Sequence, residues 1–124
     1  MKNDFTLIPG LKSILDGLFA CYNVTSGIFS FRDPDYSSTS GGFHPVEIMI
    51  RNGQLVYVTD FSFAGMPPYE ELAKELDWDF GCQTWEHMGV EYPIQTGLEL
   101  WVIWQRNFET YYRDGVFTVT YSEL

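Results

Sequence analysis

His44, Glu47, Asp60, Asp77 and Asp79 are the side chains of this chain whose types suit acid–base or metal chemistry. Their spacing decides which of them can act together. Side chains alternate along a strand, so His44 and Glu47 should point to opposite faces of the one they share. Glu47 and Asp60 are better matched, as expected diagonal neighbours on one face of a hairpin. Two carboxylates so placed could share a cation or raise one another's pKa. With Asp77 and Asp79 added, one reading is a metal-assisted hydrolase built on clustered carboxylates. The plainer reading makes Arg32 neutralise Glu47 and Asp60 as a structural ion pair, and makes His44, just before Pro45, an imidazole bonded to nearby backbone. The plainer reading calls for no catalytic residue and no cofactor.

A second constellation lies in the loop Asp33-Pro34-Asp35-Tyr36-Ser37, whose alternating oxygens resemble the start of a calcium loop. Such a loop needs Gly at its sixth position and Glu at its twelfth. Ser38 and His44 stand there instead, so the segment reads as a turn whose side chains bond their own backbone. Tyr36, Phe43, Phe63 and Tyr69 are aromatics in or beside loops at one end of the hairpin. A Gly/Ser-rich loop framed by aromatics and charges on a stiff sheet is the expected binding surface. Arg32, Asp33 and Asp35 would give polar contacts, Tyr36 and Phe43 would anchor, and His44, Asp60 and Phe63 would complete it. Phosphate-loop, dinucleotide, nucleophile-elbow and zinc-protease motifs are absent from the sequence. Cys21 and Cys82 are far apart and in no paired spacing, so they are expected to be reduced, buried thiols.

The elements that position these groups follow from periodicity. Leu11, Ile14, Leu15, Leu18 and Tyr22 recur at helical spacing after Pro9, which predicts a first helix over Pro9–Tyr22. Gly27 to Arg32 predicts a strand with Phe29 and Phe31 on one face. Pro45–Arg51 and Gln54–Phe63 flank Asn52-Gly53, a pair that tolerates the positive φ of a type I′ turn. The turn sets Arg51 opposite Gln54, and a regular ladder then gives a core face of Val46, Ile48, Ile50, Leu55, Tyr57 and Phe61, with His44 in line. Glu47, Met49, Arg51, Val56, Val58 and Asp60 would face the other way. Tyr69, Leu72, Ala73 and Leu76 predict a short middle helix. The alternation of Asp77-Trp78-Asp79-Phe80 points both rings inward and both carboxylates outward. Gly81 to Pro93 gives only a weak pattern, a short strand and a loop. Thr96 and Glu99 form a capping-box pattern opening a long helix, with Trp101, Trp104, Phe108 and Tyr111 as its buried stripe, ending near Asp114-Gly115. Val116 to Tyr121 predicts a last strand. The fold class is therefore α+β: an antiparallel sheet, built on the central hairpin and packed by helices on one face.

Composition bounds the rest. A chain of 124 residues makes one domain, residues 1–124, and buries enough surface to fold without staples. Seventeen acidic residues against seven basic ones give a formal charge of −10. Phosphate backbones and anionic membranes repel that charge, and the basic residues form no patch, so neither direct nucleic-acid nor membrane binding is expected. No stretch reads as a signal peptide or a membrane span, so a cytoplasmic protein is expected. A basic protein partner and self-association both stay open. So does an acidic mimic of nucleic-acid charge occupying a DNA-binding protein.

The runs Phe31-Arg32-Asp33-Pro34-x-Tyr36-Ser37 and Gly41-Gly42-Phe43-His44-Pro45-Val46-Glu47-Ile48 stand out together with two others. These are Tyr57-Val58-Thr59-Asp60-Phe61-Ser62 and Asn107-Phe108-x-x-Tyr111-Tyr112-x-x-Gly115-Val116. Jointly they resemble the bacterial DUF2787 family, found mainly in marine gammaproteobacteria and often within genomic islands. The resemblance covers about Ile28 to the C-terminus. It implies a fold similar to the acidic mitochondrial matrix glycoproteins, which form trimers and act by binding other proteins, and it carries over no catalytic residues. The reading it favours is a non-catalytic, acidic protein-binding module.

Overall fold

The structure, a computed structural model, describes residues 7–124. Helix α1 (Pro9–Tyr22) starts at a proline, whose missing N–H costs nothing in the first turn. It ends at Asn23, held left-handed at φ 54° while the N–H groups of Asn23 and Val24 close the last turn on Ala20 and Phe19. Its buried stripe is Leu11, Ile14, Leu15 and Leu18.

Seven strands follow: β1 (Gly27–Arg32), β2 (Val46–Arg51), β3 (Gln54–Ala64), β4 (Glu71–Asp79), β5 (Thr84–His87), β6 (Val90–Pro93) and β7 (Thr118–Ser122). They form one antiparallel sheet in the order β6-β5-β4-β3-β2-β1-β7. Helix α2 (Leu98–Arg113), entered through a 3-10 turn at Ile94–Gly97, returns the chain across the sheet so that β7 can pair with β1. The two helices pack together, and Trp101, Trp104 and Phe108 of α2 join the α1 stripe in a single core with Phe29, Phe31, Ile48, Val58, Trp78 and Phe80. The architecture is the α+β one expected, with four differences of detail.

The hairpin register is the first. Arg51 faces Gln54 and Ile50 faces Leu55 across Asn52 and Gly53, which sit at φ 51° and 74°. Beyond them Met49 pairs with Tyr57, Ile48 with Val58, Glu47 with Thr59 and Val46 with Asp60. Val56 is therefore an extra residue, a β-bulge, and every side chain after it swaps face. Val58 is buried in the core and Asp60 lies on the same face. Tyr57 and Phe61, expected inside, are only half-buried and face away.

Second, the predicted middle helix does not form. Glu71–Asp79 is strand β4, because pairing along β3 and burial of Trp78 outweigh the helical propensity of its Glu, Leu, Ala and Lys residues. Third, Gly81 to Pro93 is a second tight hairpin, β5–β6, turned at Met88 and Gly89 with φ 53° and 84°. Fourth, Thr96 is no helix cap. Its hydroxyl donates to the Pro93 carbonyl (2.6 Å) and accepts the Trp85 indole N–H (2.8 Å), so Gly97 opens α2 without a side-chain cap. Cys21 and Cys82 are free thiols as expected, but exposed rather than buried. The Asp79 carboxylate beside Cys82 raises its pKa, which makes that exposed thiol less reactive.

Two glycines give opposite expectations. A Cβ at Gly27, where φ is +146°, would sit 2.2 Å from the Tyr121 ring, whose hydroxyl is tied to the Ser26 carbonyl at 2.7 Å. Gly27→Ala should cost about 2–3 kcal/mol. A Cβ at Gly17, inside α1, meets nothing within 4 Å, so Gly17→Ala should stabilise by about 0.5–1 kcal/mol. Urea titrations of the two variants should therefore move in opposite directions.

Candidate functional site

Two bulges build the site. The one at Val56 turns Asp60 onto the helix-covered face. A second, between Asp60 and Phe61, leaves Glu75 of β4 as the extra residue, since Leu76 faces Asp60 while Lys74 faces Phe61. A bulge sets two successive side chains toward one side, which re-aims Glu75 at the same place. His44 arrives from the loop before β2. Its Nδ1 lies 2.7 Å from Asp60 Oδ1 and 3.6 Å from Glu75 Oε2. The other Asp60 oxygen accepts the Trp104 indole N–H at 2.9 Å.

Asp60 is only 9% exposed. Burial raises its pKa, opposed by the hydrogen bonds from Trp104 and His44 and by the charge of His44, while the nearby Glu75 charge adds to the rise. These residues floor a cleft of about 370 Å³. Its walls are aromatic: Phe43 from the loop, Trp104, Phe108 and Tyr111 from α2, and Phe117 from the approach to β7. Phe43 and Tyr111 touch, with ring centroids 4.5 Å apart.

The loop that closes the cleft holds itself together. Asp33 accepts the N–H groups of Asp35 (2.9 Å) and Phe43 (3.0 Å), and Ser37 and Gly41 exchange backbone bonds at 3.0 and 3.1 Å. This is the self-bonded turn that the sequence favoured over a calcium loop. Gly42, at φ +122°, brings its backbone close to Asp33 and Tyr36, where a Cβ would meet the carboxylate at 2.9 Å.

Tyr36 and Phe43, expected as free anchors, are half-buried and packed. The Tyr36 ring stacks on Phe63 (5.1 Å, 16°) and meets the His44 ring edge-on at 5.6 Å, while its hydroxyl accepts the Phe63 N–H at 3.2 Å. Arg32 and Asp35 are exposed outside the cleft.

The carboxylate set expected from sequence does not assemble. Glu47 faces away from the helices and accepts a hydrogen bond from Tyr57, whose pKa is raised first by burial and then by that carboxylate. Asp77, on the same outer face, accepts the Thr59 hydroxyl (2.6 Å) and lies 3.7 Å from Lys74. Asp79 caps the turn at the Cys82 N–H (2.9 Å). Of Glu47, Asp60, Asp77 and Asp79, only Asp60 reaches the cleft. Arg32 pairs with neither Glu47 nor Asp60 among the described residues, so the ion pair considered for them does not form. Glu75 and Trp104 are the floor residues that sequence reasoning missed as a site. The alternation of Leu76, Trp78 and Phe80 signalled a strand here, but carried on regularly it would send Glu75 outward with Asp77.

A seven-stranded antiparallel sheet, six strands in a meander and β7 beside β1, carrying two helices on one face, with an acidic cleft at one end, defines a small α+β fold. The profile of DUF2787, a family of proteins of unknown function, matches residues 11–122, and the chain belongs to that family. A solved structure from Vibrio cholerae, a conserved hypothetical protein of pathogenicity island VPI-2, is similar at a TM-score of 0.82 and 28% identity, covering 93% of each chain. That protein is described as sharing structural homology with the human P32 protein. A hypothetical protein from the VSP-II pathogenicity island of Vibrio cholerae is similar at a TM-score of 0.78 and 30% identity, covering 91% of this chain and 92% of the other. No curated protein matches the sequence. The expected family and fold are both borne out. Among the described residues no helix is long and apolar enough to cross a membrane.

Proposed function

We propose that the chain is a non-catalytic, acidic protein-binding domain of the bacterial cytoplasm, which draws a basic side chain of a protein partner into the cleft floored by Asp60 and Glu75. The observation that carries this reading is the make-up of the cleft. Two carboxylates and one imidazole lie under aromatic walls, and no lysine or arginine lines it among the described residues. An ammonium or guanidinium entering there meets opposite charge at the floor and ring faces at the sides, and both interactions strengthen as water is excluded. The formal charge of −10 adds long-range attraction for a basic partner.

The likeness to a protein with P32 homology supports an interaction role and self-association. The pathogenicity-island origin of both Vibrio structures supports a bacterial protein encoded on a mobile island. Tyr36 and Phe63 belong to this surface as the support beneath the loop, with Phe43 forming its lip.

The test is fluorescence anisotropy with a labelled lysine- and arginine-rich peptide, run in the presence of a metal chelator. Glu75→Gln should weaken binding about ten-fold, with Glu47→Gln, on the outer face, as the unaffected control. Affinity should also fall steeply between about 50 and 200 mM salt. Equal affinities in the two variants would move the docking site elsewhere.

A further inference from the structure

We propose that His44, Asp60 and Glu75 form a binding site for one divalent transition-metal ion of the zinc class. Each of the three brings a ligand atom within 4.8 Å of the other two. Zinc bonds of about 2.0–2.2 Å in tetrahedral geometry set neighbouring donors roughly 3.4 Å apart. The His44–Glu75 separation of 3.6 Å already has that spacing, and the His44–Asp60 contact of 2.7 Å needs to open by less than 1 Å.

The setting differs from an ordinary group of surface acids in three respects. Asp60 is buried to 9% exposure on the core face of the sheet. Its second oxygen is fixed by the Trp104 indole N–H (2.9 Å), which leaves the first one aimed at His44. A donor behind a ligand carboxylate in this manner orients it for a metal. The two carboxylates also arrive through separate bulges, one in β3 and one in β4, and a regular ladder would send Asp60 to the outer face and Glu75 away from it. The local balance is two carboxylates against a single imidazole, with Lys74, the nearest lysine in sequence, engaged with Asp77 on the other face. A divalent cation would neutralise that excess.

The donor set selects the metal class. Calcium takes six to eight oxygens and magnesium favours oxygen and water, whereas one imidazole and two carboxylates suit zinc and its first-row neighbours. Three protein ligands leave a coordination position open, and all three residues line the cleft. The inference does not rest on the partner reading, since metal binding is measured on the chain alone. Because both occupants use Asp60 and Glu75, zinc and a basic side chain would exclude each other.

The experiment titrates zinc chloride into chelator-stripped full-length chain by calorimetry and follows the melting temperature. One saturating equivalent is expected, with a rise of roughly 5–10 °C at a large excess over Kd. Magnesium and calcium should give no shift. Glu75→Gln and His44→Ala should each weaken zinc binding about ten-fold or more, with Glu47→Gln and the double variant Cys21→Ser/Cys82→Ser unchanged. Should His44→Ala fail to fold, Glu75→Gln decides, because it keeps the side-chain size at a half-buried position. Absence of binding at about 1 mM zinc, retention of binding in Glu75→Gln, or loss of binding in the cysteine variant would each overturn the site. Basic-peptide binding in chelator with no zinc binding would overturn this inference and leave the partner reading standing; zinc binding without peptide binding would do the reverse.

Discussion

Replacing Trp101 by Ala should lower the unfolding free energy by about 4 kcal/mol, which for a chain of this length is a fall of about 15 °C in melting temperature. Trp101 is fully buried and central to the ring cluster that joins α2 to the sheet. It lies parallel to Trp104 (5.8 Å, 9°) and packs obliquely on Trp78 (5.1 Å) and Phe80 (5.2 Å). Truncation removes the area of a large ring and leaves a cavity that three rigid neighbours cannot close. The conservative substitutions then separate packing from hydrogen bonding. The Trp101 indole N–H has no partner among the described residues, so Trp101→Phe loses volume but also removes a buried orphan donor, for a net cost of about 1 kcal/mol. Trp104→Phe removes the same atoms but takes a donor from the buried Asp60 carboxylate, and should cost about 2–3 kcal/mol. Urea titration of the three variants tests the order. If Trp104→Phe proves no costlier than Trp101→Phe, the indole is not what holds Asp60 in place.

The ranking explains which parts of the molecule could be read in advance. The stripe Trp101, Trp104, Phe108 was legible because helical spacing and core burial agree. Helix α1 and the Asn52-Gly53 turn were legible because local propensity and tertiary structure make the same demand there. Strand β4 was hidden because its Glu, Leu, Ala and Lys residues favour helix by themselves, and only pairing with β3 decides otherwise. The bulge at Val56 was hidden for a different reason. Val56-Tyr57-Val58 is apolar throughout, so either alternation buries a plausible set, and the choice falls to the fit of Val58 beside Trp78 across the sheet. The site inherited that ambiguity. His44 and Asp60 were both in view, yet a regular ladder put them on opposite faces. Glu75 was out of view because it sat in a segment read as helix. A site assembled by two bulges shows in sequence as separate residues, and only the ladder brings them together.

Substituting Val58 by Asp tests that bulge most directly and should lower the melting temperature by about 15 °C or more. In a regular hairpin extending from Asn52-Gly53, residue 58 would lie on the outer face, where an aspartate beside water costs a few tenths of a kcal/mol. In the bulged register Val58 has no exposed surface and sits between Ile48 and Trp78 in the ladder. A carboxylate there must either remain charged without a partner or take up a proton, and the shape and apolar contact of the valine are lost in either case. The combined cost exceeds about 4 kcal/mol, against a total stability of about 5–15 kcal/mol for a domain of this kind. Deleting Val56 should have the opposite outcome. Without the extra residue, Leu55 still faces Ile50, Tyr57 still faces Met49, and Asp60 keeps its place beside Val46, so the ladder becomes regular with every later side chain on its present face. What is lost is local twist and the Val56 carbonyl that accepts the Phe80 N–H at 2.8 Å, about 1–2 kcal/mol together. Circular dichroism melts decide between the two geometries. A Val58→Asp protein melting near the parent temperature, with an unfolded Val56 deletion, would require the regular ladder, and would return Asp60 to the face opposite the cleft.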